Sequence, residues 1–121
     1  MARRKFGGGY MKIKPAKYRN KKCVVDGIMF DSQREAREWR NLKLLERAGK
    51  IERLERQPTY KLIVDGSSIG RFTPDFQFFD LDQNRFRVID VKSPATASET
   101  AFRLRKKLFT AIYKIECEVV T

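Results

Sequence analysis

The chain has no histidine. That absence excludes Ser-His-Asp hydrolysis, nucleases with a histidine base and most catalytic zinc sites, because each needs an imidazole as base or ligand. Cysteine is nearly as scarce: Cys23 and Cys117 lie too far apart in sequence for a zinc motif, and without a secretory signal no disulfide is expected. Both read as ordinary buried thiols. No apolar run approaches the roughly 18 residues a bilayer span needs. The N-terminus has charges without the apolar segment of a signal peptide, so the expected place is the cytoplasm, with no membrane contact.

Acidic residues are also in short supply, 15 against 27 Lys plus Arg in 121 residues, a net charge of +12. Such an excess points to a polyanionic partner, with nucleic acid the first choice. Catalysis in this chain must therefore rest on carboxylates, lysine and metals that favour oxygen. The length suits one hydrophobic core and not two.

Residues 1–22 carry Arg3, Arg4, Lys5 and six further cations, no acid, and Gly7-Gly8-Gly9. They read as a basic arm, either an electrostatic anchor for phosphate or a solubilising tail, and residues 23–121 read as a single domain. Within it, Cys23-Val24-Val25, the turn Asp26-Gly27 and Ile28-Met29-Phe30 form a hairpin. Ser32 with Glu35 three residues on has the capping-box pattern, and the helix it starts runs to Ala48 before Gly49. Trp39, Leu42 and Leu45 share one face of that helix, while Arg37, Arg40, Lys43 and Arg47 gather on another. Glu35 falls in the apolar arc, where a carboxylate is costly unless it has a partner or a task; the capping box is itself such a task.

Strands are expected at Thr59–Val64, at Arg71–Asp80 and at Phe86–Lys92. A helix capped by Ser98 follows over residues 99–113, with Phe102, Leu104, Leu108, Phe109 and Ile112 as its core positions, and Ile115–Val120 is a last strand. Strand alternation puts Asp90 and Lys92 on one side and Asp75 on the side of Gln77, away from Phe76. If the last two of the three strands pair as a hairpin, Asp75 and Asp90 converge. Two such carboxylates repel unless a cation sits between them, and Mg²⁺ suits because it takes oxygen ligands and keeps waters. Asp75 and Asp90 are therefore the candidate ligands, with the carbonyl of Val91 as a third. Lys92 is placed to steady the attacking water or the charge developing on phosphorus.

Phe30-Asp31-Ser32 with Glu35-Ala36, then Gln57-Pro58, Pro74-Asp75, Asp90-Val91-Lys92 and Lys106-Lys107-Leu108-Phe109 resemble the PD-(D/E)XK nuclease superfamily, and more closely a family of small phage-encoded nucleases. The likeness covers roughly residues 18–120. TnsA-type transposition nucleases have similar elements, and archaeal Holliday-junction resolvases a similar minimal core. The resemblance implies an α/β, restriction-endonuclease-like core, a central mixed β-sheet flanked by helices in the order αβββαβ. It implies that Glu35 completes the metal site with Asp75 and Asp90, and that Lys92 is the catalytic lysine. It also implies that Gln57 sits near the site, touching phosphate or a metal-bound water, and that Lys106 and Lys107 meet the DNA backbone. Gln57 suits a strand-start hydrogen bond equally, and a solvated helix face explains the two lysines nearly as well. Asp90 stands where the commoner residue is Glu, which shortens the reach to the metal.

The expectation is a Mg²⁺-dependent DNA endonuclease, with Mn²⁺ able to substitute, selective for Holliday junctions or other branched DNA in phage recombination, repair or DNA processing. A chain of this size has little room for a separate target-recognition domain. Cutting two strands asks for two sites, hence a homodimer. No small-molecule cofactor is expected. The alternative is a non-enzymatic nucleic-acid-binding protein on the same scaffold, for which three acids inside a basic surface have no use.

Overall fold

The computed structural model describes residues 21–121, and nearly all of the basic arm, with Arg3, Arg4 and Lys5, lies outside them. The chain divides between Gln33 and Arg34 into two units. In the first, β1 (Cys23–Val25) pairs antiparallel with β2 (Ile28–Phe30), Cys23 opposite Phe30. The turn between them has positive φ at both Asp26 (54°) and Gly27 (75°), which matches the right-handed strand twist and favours Asp-Gly. Phe30 is buried and Cys23 half-buried.

The second unit opens with α1 (Gln33–Arg47), which begins at the boundary itself. Ala36, Trp39 and Leu42 are its buried residues. Leu45, expected on that face, is 41% exposed; at ~100° per residue it stands about 120° from Trp39, outside the arc that packs. Gly49, at φ 75°, ends the helix, and the Lys50 N–H donates to the Leu45 carbonyl at 2.9 Å, closing the orphaned last turn.

After α1 come β3 (Ile51–Arg56), β4 (Tyr60–Val64), β5 (Ser67–Phe72), β6 (Phe76–Asp80) and β7 (Arg85–Val91), then α2 (Pro94–Ala97), α3 (Thr100–Tyr113) and β8 (Cys117–Val120). The main sheet has the order β3-β6-β7-β8, antiparallel except for the parallel β7/β8 pair. β4 and β5 form a separate antiparallel hairpin. Among the described residues the architecture is mixed α/β, with one mixed four-stranded sheet and three helices. No helix among the described residues is long and apolar enough to cross a membrane.

Three expectations need correction. The strand expected over Arg71–Asp80 is two, β5 and β6, broken at Thr73, Pro74 and Asp75; Pro74 has no N–H to give to a ladder. Ile51–Arg56, where no strand was expected, is the edge strand of the main sheet, with Glu52, Arg53 and Glu55 along it. Charged side chains suit an exposed edge because they discourage further pairing. Ser98 is the C-cap of α2, whose N-cap is Ser93, and α3 is preceded by Glu99.

The sheet buries both faces. Phe76 and Phe78 lie opposite Ile89 and Arg87, so these four share a face, and Trp39 of α1 stacks on Phe76 with ring centroids 6.0 Å apart. Val88 and Cys117 face the other way, into a core with Leu62 and Phe72 of the β4–β5 hairpin and Phe102 and Phe109 of α3. Leu104, expected in that core, is 61% exposed. Cys117 is buried, and burial pushes its thiol up to about 12, consistent with an inert structural cysteine.

Candidate active site

Asp75 sits one residue ahead of β6, and the antiparallel register that pairs Phe76 with Ile89 carries it up to Asp90. Three backbone hydrogen bonds pin it. Its N–H donates to Asp90 Oδ1 at 3.1 Å, its Oδ2 accepts from the Val91 N–H at 2.7 Å, and its carbonyl accepts from the Gln57 N–H at 2.9 Å. Asp90 is buried at 4% exposure. Its Oδ2 lies 3.4 Å from Lys92 Nζ, as expected for residues two apart on a strand. Lys92 leans over the ring of Phe102, 4.7 Å from the centroid, which fixes the ammonium on a negative π face.

The electrostatics of this cluster are strained. Burial pushes the Asp75 carboxyl up from 3.8 to about 8, the Asp90 charge and then Glu35 push the same way, and the Val91 N–H opposes them. Glu35, on α1, therefore stands close enough for its charge to be felt at Asp75, although it comes from the opposite side of the sheet to Lys92 and Phe102. Asp75, Asp90 and Lys92 meet directly. Among the described residues no three His, Cys, Asp or Glu side chains group so as to hold a metal ion, so Glu35 does not join Asp75 and Asp90 in the three-acid site that was expected. The donors still suit Mg²⁺, which characteristically takes one or two carboxylates, keeps several waters and binds alongside phosphate oxygens. A cation between Asp75 and Asp90 would offset the repulsion that, after burial, raises the Asp75 pKa.

Beside Lys92 the floor continues into a groove of about 330 Å³ lined by Ala97, Phe102, Arg103, Lys106, Lys107 and Val119. Val119 is the register partner of Asp90, so the groove adjoins the carboxylates. Half-buried Lys106 has its Nζ 3.8 Å from the exposed Glu116, a long pair of little worth, and Lys107 is exposed. Gln57 is placed by its backbone, with φ 50°, and its side chain is exposed.

A model of a protein family described as of unknown function (DUF1064) matches residues 15–119. The chain belongs to the DUF1064 family. No curated protein and no solved structure matches it. The DUF1064 match spans every site residue from Glu35 to Lys107 and leaves out Arg3, Arg4 and Lys5.

Sequence reasoning missed two contributors to the site of this DUF1064 chain. Phe102 was expected only as core, yet it also seats Lys92. The stretch after Lys92 is a capped turn: the Ser93 side chain accepts from the Thr96 N–H, the Thr96 hydroxyl accepts from the Ser93 N–H, and Pro94 starts the helix. Ser followed by Pro is a helix-start signal that was there to be read. At the other end of the sheet, Arg87 grips Glu118 through two bonds of 2.8 and 2.6 Å and Asp80 at 3.0 Å. The Gln83 N–H and then Arg87 hold Asp80 below the ordinary carboxylate range, and the Arg87 bonds hold Glu118 there. This second set of acids is fully engaged with a cation of the chain itself.

Proposed function

We propose that the chain is a Mg²⁺-dependent DNA endonuclease of the PD-(D/E)XK type, hydrolysing phosphodiester bonds in branched DNA. The observation that carries the reading is the meeting of Asp75, Asp90 and Lys92, with two acids packed together at a cost that a bound proton or a divalent cation relieves. In support, α1, β3, β6, β7, α3 and β8 follow one another in the order αβββαβ, with the β4–β5 hairpin and α2 set between them, although the first strand of that order was expected at Thr59–Val64. Asp75 and Asp90 would hold the ion, the Val91 carbonyl is at hand as a further oxygen, and Glu35 adds charge from α1. When bound, Mg²⁺ supplies a Lewis acid for the phosphodiester and its attacking water.

The residues of the chain divide the remaining work. Asp90 and Phe102 orient Lys92, whose ammonium stabilises charge gathering on the phosphoryl oxygens as water adds to phosphorus. One P–O ester bond breaks, leaving a phosphomonoester and a hydroxyl. Arg103, Lys106 and Lys107 line the adjoining groove and would hold flanking phosphates, which orients the strand without reading its bases. Two cuts would need two such sites, and so a second copy of the chain.

A non-enzymatic DNA-binding protein is the competing reading, favoured by the lack of a closed metal cage. Incubating the purified protein with labelled four-way junction, flap, single-stranded and linear duplex DNA in Mg²⁺, Mn²⁺ or EDTA, beside Asp90→Asn, decides between them. Asn keeps an oxygen for the Asp75 N–H, so the fold survives while the charge goes. The expected result is metal-dependent cutting, strongest on branched DNA, lost at least ~100-fold in the variant. Tight binding with no cutting in either metal sinks the nuclease reading.

A further inference from the structure

Helix α1 separates its charges by face. Arg34, Arg37, Arg40 and Arg47 are all exposed; at ~100° per residue Arg34 and Arg37 point away from the buried Ala36, Trp39 and Leu42, and Arg40 and Arg47 lie along the flank beside Ala36. The acids of the helix are engaged elsewhere: Glu46 holds Lys43 at 2.8 Å, Glu38 lies in the field of Arg87, and the charge of Glu35 is felt at Asp75. Three and four residues from Arg37 and Arg40 stand Arg34, Lys43, Gln33, Asn41, Ala36 and Leu44, with no acid among them.

A helix that merely faces water gains from opposite charges at these spacings and loses from like ones. Around Arg37 and Arg40 the like charges prevail, and Arg34, although Glu38 stands four residues on, opposes the positive end of the helix dipole in the first turn. The helix carries two electrostatic costs that an anionic partner would reverse. All four of these exposed cations are arginine, whose fork grips phosphate oxygens in pairs where lysine offers a point charge. From Arg34 to Arg47 the helix rises ~20 Å, about six base pairs at roughly 3.4 Å each.

We propose that the solvent face of α1, formed by Arg34, Arg37, Arg40 and Arg47, is a docking surface for the sugar–phosphate backbone of a DNA duplex arm, separate from the groove on α3. It deepens the nuclease reading and rests on that reading's claim that DNA is the ligand. The face starts beside Glu35, at the site, and runs away from it. Since α1 and α3 pack on opposite faces of the sheet, the two surfaces suit arms that diverge from one point.

The test uses the full chain carrying Asp90→Asn, so that binding is read without cutting, and anisotropy of a labelled four-way junction between roughly 50 and 200 mM KCl. Replacing all four arginines by Gln should weaken binding at least ~10-fold and reduce the slope of log K against log salt by about 2 to 4, near 0.9 per phosphate contact. The melting temperature should hold or rise, because repulsion along the helix is removed. Replacing them by Lys should restore the slope. Unchanged affinity and slope overturn the proposal, as does weaker binding with an unchanged slope and a lower melting temperature, which marks a structural role. A parent protein that binds no DNA overturns both this surface and the nuclease reading. A DUF1064 chain that binds through α1 yet never cuts leaves the surface standing and removes the nuclease.

Discussion

Gln57 shows how one backbone conformation serves a distant carboxylate. Its φ of 50° lies where non-glycine residues are uncommon, and the Pro58 that follows restricts it further. The return is an N–H aimed at the Asp75 carbonyl. Gln57→Gly relieves the strain and keeps the N–H, so it should keep melting temperature and cleavage within about twofold of the parent. A loss of more than ~10-fold in kcat with normal folding would instead assign the work to the Gln57 side chain. Phe102 presents a similar question about Lys92. Phe102→Leu nearly conserves volume, so the expected destabilisation is under about 1.5 kcal/mol, while cleavage should fall ~10-fold through kcat as Lys92 loses its seat. Normal kcat in that variant would show that Asp90 alone positions the lysine.

At the scale of elements, α3 joins core to site. One side sends Phe109 into the cluster with Leu62, Phe72, Val88 and Cys117, against Phe72 at 5.0 Å and Tyr60 at 4.7 Å between ring centroids. Its N-terminal half carries Phe102, Arg103, Lys106 and Lys107 along the groove. Phe109→Ala should cost about 3–5 kcal/mol, measured by urea denaturation, since Phe109 is fully buried. A cost below ~1 kcal/mol would mean the core closes over the void. The β4–β5 hairpin also leans on α3, with the Tyr113 hydroxyl donating to the Lys61 carbonyl at 2.7 Å and Tyr60 bonded to Gln77 of the main sheet. β5 was merged with β6 into one expected strand, while the strand at Thr59–Val64 was legible here from its alternation. Its pairing partner was not, because turn chemistry defines a connection and not the neighbour a strand finds.

For the whole molecule, the two ends of the sheet respond to pH with opposite sign. Asp75 has a folded pKa near 8 against an ordinary 3.8, so the folded state holds its proton more tightly. That contribution is complete below about pH 4 and is lost as pH rises through about 8. Asp80 and Glu118 lie below their ordinary values; their contribution is present above about pH 4 to 5 and is lost on acidification. The melting temperature without metal should therefore peak between roughly pH 4 and 6 and decline towards pH 9. Added Mg²⁺ should flatten the alkaline decline, and Asp75→Asn should abolish it. A decline that persists in Asp75→Asn would show that another group titrates.

The sequence by itself determined the basic character, the absence of histidine chemistry, the helix from Gln33 to Arg47, the hairpin turns and the pairing of Asp90 with Lys92. These follow from composition and local periodicity, which chain neighbours decide among themselves. Only the tertiary structure decided that Ile51–Arg56 joins the main sheet, that the Pro74 break frees Asp75 to accept the Val91 N–H, and that Phe102 lies under Lys92. Each depends on residues distant in sequence competing for the same hydrogen bonds and the same buried volume, a contest settled when the sheet closes.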